Sequence, residues 1–310
     1  MLVSRPDVLF SRAFQGDRLT SYARRNPRFL LLAGGSGTGK TSLVRAGLLP
    51  RLLEEGGWQV THLHPAGDLE ARIGAAVGRP TTDGQRHLVV VDPFEAVLDL
   101  PAGMRERMIR VLWRKASTPG GRTSILACIR TEALGQCGEL VVEDTGTRLD
   151  AVAFSDRHQV LLRDPGPRAL RVMLSRPAAA GGLSLSGDLA HRIAGAVSAV
   201  RPPLPALAAV TTRMWQARAG RTLTSASWQA IGDPQHAVAH LADHVIDGLA
   251  PGRRPEALRI LRALAREGDA HGPPRARWMT RARLRPPSGR ENGRDHDSTI
   301  AHLILSLIHI

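Results

Sequence analysis

Lysine is nearly absent from this chain. Of its 310 residues only Lys40 and Lys115 are lysine, and arginine carries almost all of the positive charge. Cysteine is as scarce: Cys128 and Cys137 stand alone, which excludes a disulfide framework. No apolar run approaches the roughly 20 residues that cross a bilayer, and no charged-then-apolar leader opens the chain. The expectation is a cytoplasmic protein with no membrane partner. What is present argues for a folded one. Hydrophobic residues make up 43% and charged residues 23%, which excludes a disordered chain, and the length suffices for two or three small domains. The net charge of +14 invites a nucleic-acid reading. Heavy use of arginine, alanine, glycine and proline is also what a GC-rich genome writes on any solvated surface, so a nucleic-acid partner is not the favoured reading.

One of the two lysines lies in the run GGSGTGKTS, Gly34 to Ser42, directly after the apolar Phe29-Leu30-Leu31-Leu32. This run fits the phosphate-loop pattern G-x-x-x-x-G-K-[ST] at every position. Successive backbone N–H groups of a glycine-rich turn can point at phosphate oxygens with no Cβ in the way. The helix that follows adds its N-terminal partial positive charge. Gly34, Gly35, Ser36, Gly37, Thr38, Gly39, Lys40, Thr41 and Ser42 are therefore expected to bind ATP or ADP. Lys40 is expected to reach the β- and γ-phosphates and the Thr41 hydroxyl to ligate Mg²⁺.

Short apolar strands alternate with helical stretches through the first half, the pattern of an α/β fold with a parallel sheet. Strands are expected near Phe29 to Ala33, Trp58 to His64, His87 to Val91, Ser124 to Ile129 and Gln159 to Leu162. Helices are expected over Thr41 to Glu55, Asp68 to Val77 and Met104 to Ala116. From about Asp164 the sequence turns to alanine-rich amphipathic helix, broken by Pro202, Pro203 and Pro205, and short helices follow from Pro234 to Glu267. Residues 271–299 read as a surface strand pair running into a linker. No internal repeat is visible.

A phosphate loop needs a metal-binding carboxylate at the end of another strand, and HLVVVDPFEA, His87 to Ala96, supplies one. A continuous apolar run suits a strand buried on both faces, with Asp92 emerging at its carboxyl end, where ligands sit in open α/β sheets. Asp92 is expected to hold Mg²⁺ through water, and Glu95 to be the base that orients the attacking water. Arg130 ends the next strand. If that strand lies between the Asp92 strand and the phosphate-loop strand, Arg130 faces the γ-phosphate and can stabilise its charge or sense its loss. His62 and His64 share a strand face but lack a third ligand at metal spacing, so they are read as packing or surface residues. Cys128 is read as a buried, inert thiol.

The segments GGSGTGKTSLVRAGLLPRL, GWQVTHLHPAGD, VVVDPFEAVLDL, ILACIRTEAL and RMWQARAGRTLTSASWQAIGD together resemble the novel STAND NTPase family, type one, over roughly residues 8–265. The resemblance implies a P-loop NTPase core with a parallel sheet over 28–163, a helical lid domain over 164–233 and a winged-helix-like domain over 234–290. It also implies an ATP-controlled signalling switch that self-associates on activation and relays to a C-terminal sensor or effector, such as a WD-repeat propeller. The family's Phe-Gly-Arg-Glu box corresponds to Phe10-Ser11-Arg12 in the lead segment 1–27, which puts Arg12 near the adenine side. Its Asp-Gln-Phe-Glu-Glu becomes Asp92-Pro93-Phe94-Glu95-Ala96, without the second glutamate, which implies slow hydrolysis. Its Leu-Arg-Ala-Asp arginine matches Arg130, with the acidic residue at Glu132. Its lid motif Gly-x-Pro becomes Pro203-Leu204-Pro205, retaining Pro205 against adenine. Two other classes remain open: a DNA-binding ATPase that sets Arg253, Arg254, Arg259 and Arg262 on phosphates, and a nucleotide-binding scaffold with little hydrolysis.

The last six residues, LSLIHI, are what the transposase mosaic-end adapter CTGTCTCTTATACACATC encodes in frame. Residues 291–310 are thus expected to be a linker ending in an adapter-derived tail over 305–310, with the natural protein continuing past residue 304.

Overall fold

The computed structural model describes residues 28–64, 68–79, 84–142, 146, 148–266, 275–276, 281–284, 299–300 and 303. The Phe10 to Arg12 box and the 305–310 tail lie outside these residues.

The first half alternates strand and helix. β1 (Phe29–Ala33) leads through the glycine-rich loop into α1 (Lys40–Leu43), a π-helical stretch (Val44–Leu48) and α2 (Leu49–Glu55), one unbroken helical run. There follow β2 (Trp58–Leu63), α3 (Leu69–Gly78), β3 (Arg86–Val91), α4 (Glu95–Leu98), α5 (Ala102–Ser117) and β4 (Thr123–Ile129). A 3₁₀ stretch (Thr131–Glu139), α6 (Asp150–Ala153) and β5 (Gln159–Leu161) complete this half. Asp68 caps α3, its Oδ1 accepting from the Ala71 N–H at 3.0 Å, which satisfies one of the donors a helix start leaves open.

The five strands form one parallel sheet in the order β2-β3-β4-β1-β5. Residue alternation along each strand sends side chains to opposite faces, and both faces are apolar. Phe29, Leu31, Val89, Val91, Ile125, Ala127 and Ile129 pack with Ile73 of α3 and Ile109, Leu112 and Trp113 of α5. Leu30, Leu32, Leu88, Val90, Leu126, Cys128 and Val160 pack with Leu43, Val44, Leu48 and Leu52 of the helical run after the loop. The continuous apolar strands follow from this burial on both sides.

The second half is helical: α7 (Pro167–Ala180), α8 (Leu189–Ser198), α9 (Pro203–Gln216), α10 (Ser225–Gln229), α11 (Ala237–Asp247), α12 (Arg254–Leu264) and α13 (Arg281–Leu284). The short pairs β6 (Ser184–Leu185) with β7 (Thr222–Leu223), parallel, and β8 (Ala265–Arg266) with β9 (Arg275–Ala276), antiparallel, brace it. Leu170, Leu174, Ile193, Val197, Val210, Met214 and Leu241 belong to one core and Val245, Leu249, Ile260 and Leu284 to another, so α11 contributes to both. The helical stretch breaks at the prolines as expected: α8 ends at Ser198 and α9 opens at Pro203. Pro203 and Pro205 lie in the first turn of α9, where a residue without an N–H loses no intrahelical bond. The α12 helix ends at Leu264 and the strand pair starts at Ala265, earlier than the expected 271, while α13 is a helix inside the stretch read as strand pair and linker.

Candidate functional site

The strand order brings the ends of β1, β3 and β4 side by side. β4 lies between β3 and β1, with Ile129 level with Ala33, so Gly34 donates its N–H to the Ile129 carbonyl at 3.1 Å just as the loop begins. Thr38 is buried and its hydroxyl donates to the Gly35 carbonyl at 2.9 Å, while Ser36 is exposed at the turn. Gly37 and Gly39 adopt φ of 74° and 87°, a left-handed conformation that residues with a Cβ rarely take. Lys40 donates from Nζ to the carbonyls of Gly34 (2.7 Å) and Gly35 (3.0 Å), which keeps its ammonium on the loop. Burial pulls the Lys40 pKa down, against the opposing pull of the Glu95, Asp92 and Glu132 carboxylates, so charge of both signs converges at this point.

Asp92 emerges from β3 and is 5% exposed; its Oδ2 is buried with no hydrogen-bond partner among the described residues. Burial raises its pKa, but the His62 imidazole and the Thr41 hydroxyl outweigh burial and leave it below its ordinary value. A buried, ionised carboxylate is costly unless a cation or a donor meets it, and an ionised Asp92 with the Thr41 hydroxyl beside it is an oxygen donor set of the kind Mg²⁺ takes. These two residues fit Mg²⁺.

Glu95, in the first turn of α4, is 6% exposed. Its Oε1 accepts from the Arg130 backbone N–H at 2.6 Å and from Arg130 Nε at 2.9 Å, while Oε2 is buried with no partner among the described residues. Arg130 therefore sits at the tip of β4 as expected, yet its guanidinium is engaged by Glu95.

Pro205 comes to the loop as well. A Cβ built on Gly37 would lie 2.8 Å from Pro202 Cγ and 3.0 Å from Pro205 Cγ, and one on Gly39 would lie 2.9 Å from Leu204 Cδ1. The start of α9 thus rests on the two left-handed glycines, which gives both positions a second reason to lack a side chain. Arg12 is outside the described residues.

His62 and His64 are the site residues that sequence reasoning dismissed. β2 pairs with β3 in register, His62 opposite Val90 and Leu63 opposite Val91, which carries both histidines to Asp92. His62 Nε2 lies 3.8 Å from Asp92 Oδ2, and His64 Nδ1 is 3.1 Å from the Asp92 carbonyl. Because a carbonyl only accepts, Nδ1 of His64 carries the proton, and its Nε2 accepts from Arg45 Nη2 at 2.6 Å. Burial, His62 and Arg45 lower the His64 pKa. The signal was available: two histidines alternate at the end of a strand, and only its pairing with the aspartate strand was missing. Cys128 matches its expectation, since burial holds its thiol pKa well above the ordinary value; burial likewise pushes Cys137 up to about 12.

The profile of the family described as Novel STAND NTPase 1 matches residues 3–308. The chain belongs to this family. Among solved structures it is similar to an ORC1 protein of Aeropyrum pernix, solved in complex with DNA, at 15% identity over 97% of this chain and 87% of that one, with a TM-score of 0.52. It is also similar to PCH-2 of C. elegans (14% identity, 76% and 67% coverage, TM-score 0.46) and to a RuvB of Thermotoga maritima (14%, 82% and 76%, 0.44). No curated protein matches at a significant level. Family membership makes this a P-loop nucleotide-binding NTPase, and the ORC1 likeness agrees with the α/β fold.

Proposed function

We propose that this STAND NTPase is a slowly hydrolysing ATP switch whose nucleotide state sets the contact between the phosphate loop and the helical region. The contact of Pro202, Leu204 and Pro205 with Gly37 and Gly39 carries this reading. Phosphates cradled by the loop and surfaces presented by α9 compete for, or share, the same few residues, so a ligand that fits one arrangement better shifts the balance toward it.

The chain's own groups supply most of the chemistry. Loop N–H groups and Lys40 hold the phosphates, and Thr41 and Asp92 would hold Mg²⁺, whose charge offsets that of the β- and γ-phosphates. Glu95 Oε2, the oxygen not engaged by Arg130, takes the proton of the attacking water. Arg130 holds Oε1 through its backbone N–H and Nε, which restrains the carboxylate and slows turnover; if released, the guanidinium can face the γ-phosphate. Arg12 flanks adenine with Pro205. The domain reading is a core over 28–163, a lid over 164–233 and a winged-helix-like unit over 234–290, for which α11, α12 and the β8–β9 pair give support. ADP favours the closed arrangement. ATP favours opening, self-association and relay to a C-terminal sensor or effector such as a WD-repeat propeller.

Small-angle scattering and sedimentation of the chain with ADP and with a non-hydrolysable ATP analogue test this. ADP at a hundredfold excess over Kd is expected to stabilise the closed form by about 2.7 kcal/mol, and the analogue to increase size or mass. Lys40→Ala is expected to abolish both responses and nucleotide binding by calorimetry. Identical size and mass with both nucleotides would leave a non-switching scaffold, and salt-dependent binding of duplex DNA would favour the DNA-binding ATPase instead.

A further inference from the structure

Two buried polar atoms face each other beside the phosphate loop: His62 Nε2 and Asp92 Oδ2, 3.8 Å apart, each without a hydrogen-bond partner among the described residues. The side chains are 17% and 6% exposed, so solvent does little to satisfy either atom. Leaving both unsatisfied is unfavourable. The His62 ring is held in place. It packs against His64 with centroids 4.2 Å apart and planes tilted by 42°, and His64 is fixed between the Asp92 carbonyl and Arg45 of the π-helical stretch after the loop. The arrangement joins β2, β3 and the helical run after the phosphate loop at one carboxylate.

We propose that His62 is a positioning residue for Asp92. Its Nε2–H holds Oδ2 when the pair closes by roughly 1 Å to hydrogen-bond length, fixing the carboxylate rotamer and leaving Oδ1 for the hydration shell of Mg²⁺. His64, tied to the backbone of Asp92 and to Arg45, sets the ring against which His62 packs. Donors that orient a metal-binding carboxylate from behind typically change metal affinity by about 10- to 100-fold. The inference rests on the reading that Asp92 and Thr41 serve Mg²⁺ with a nucleotide bound.

Calorimetric titration of ATP into the chain, once in Mg²⁺ and once in EDTA, separates the two claims. In wild type Mg²⁺ is expected to tighten ATP binding. In His62→Leu, which keeps the volume and loses the donor, that Mg²⁺-dependent gain is expected to fall about tenfold while affinity in EDTA stays unchanged. His62→Gln, which restores an N–H donor, is expected to recover most of the gain, and His62→Ala to repeat the loss at a second volume. An undiminished Mg²⁺ gain in His62→Leu and His62→Ala overturns the proposal, as does a parallel fall of affinity in both buffers, which is the mark of a purely structural role. Wild type that binds no ATP in either buffer overturns the underlying site reading instead.

Discussion

Glu95 has two oxygens in two different situations, and that asymmetry governs what it can do. Oε1 is bonded twice by Arg130, and Oε2 is buried and free of hydrogen-bond partners among the described residues. Glu95→Gln is expected to retain ATP affinity and lower turnover by at least ~10²-fold, measured as phosphate release under saturating ATP. Arg130→Ala distinguishes restraint from charge stabilisation: faster turnover indicates a restraining arginine, and slower turnover one that serves the γ-phosphate. A titrating residue sits deeper in the sheet. His87 is fully buried in β3, with Nε2 2.9 Å from the Thr61 hydroxyl, and burial, then Arg79 and Lys115, lower its pKa. The folded state thus favours neutral His87, while the unfolded chain takes a proton near pH 6.5. Between the lowered folded pKa and that value the unfolded state binds more protons, so stability falls as pH drops through about 6.5. Denaturant melts from pH 8 to pH 5 are expected to show this slope, reduced in His87→Gln; an equal slope in the variant would place its origin elsewhere.

At the level of elements, β1, β3 and β4 were legible because each is a short apolar run buried on both faces, and β1 runs over the expected Phe29 to Ala33 without a residue's difference. Two elements were not: α4 is a single turn and the Thr131–Glu139 stretch is 3₁₀, so neither imposes an α-helical period. The prolines mark the break between α8 and α9, but that two of them also open the second helix is decided by the fold, since a proline ends one helix and opens the next with equal ease. The histidines show the same limit, because a residue at a strand end acquires its role from the neighbouring strand. The α9 contact can be tested on its own. Gly37→Ala adds a Cβ at φ 74° and 2.8 Å from Pro202, so a loss of roughly 1–3 kcal/mol is expected from strain and overlap together. The double variant Gly37→Ala/Pro202→Ala is expected to recover the overlap share and leave the backbone share. Additive losses in a thermal-melt cycle would show that the ring and the loop do not touch.

For the whole molecule, the strand order has a consequence for how the protein is made. β1, which carries the phosphate loop, is the first described strand to leave the ribosome, yet its two partners are the last of the sheet: β4 at residues 123–129 and β5 at 159–161. Until β4 is synthesised, β1 and its glycine-rich loop must wait unpaired, since closing such a long loop comes before any pairing reward, and its second edge stays open until β5 follows. β2 and β3 can pair early. The nucleotide site, built on β1, β3 and β4, therefore assembles only once β4 emerges, and nascent chains that stop before it present an exposed β1 to chaperones and to one another. Nucleotide can stabilise only chains that have passed that point, so a ribosome-stalled series should switch from ATP-insensitive to ATP-protected against protease as β4 emerges.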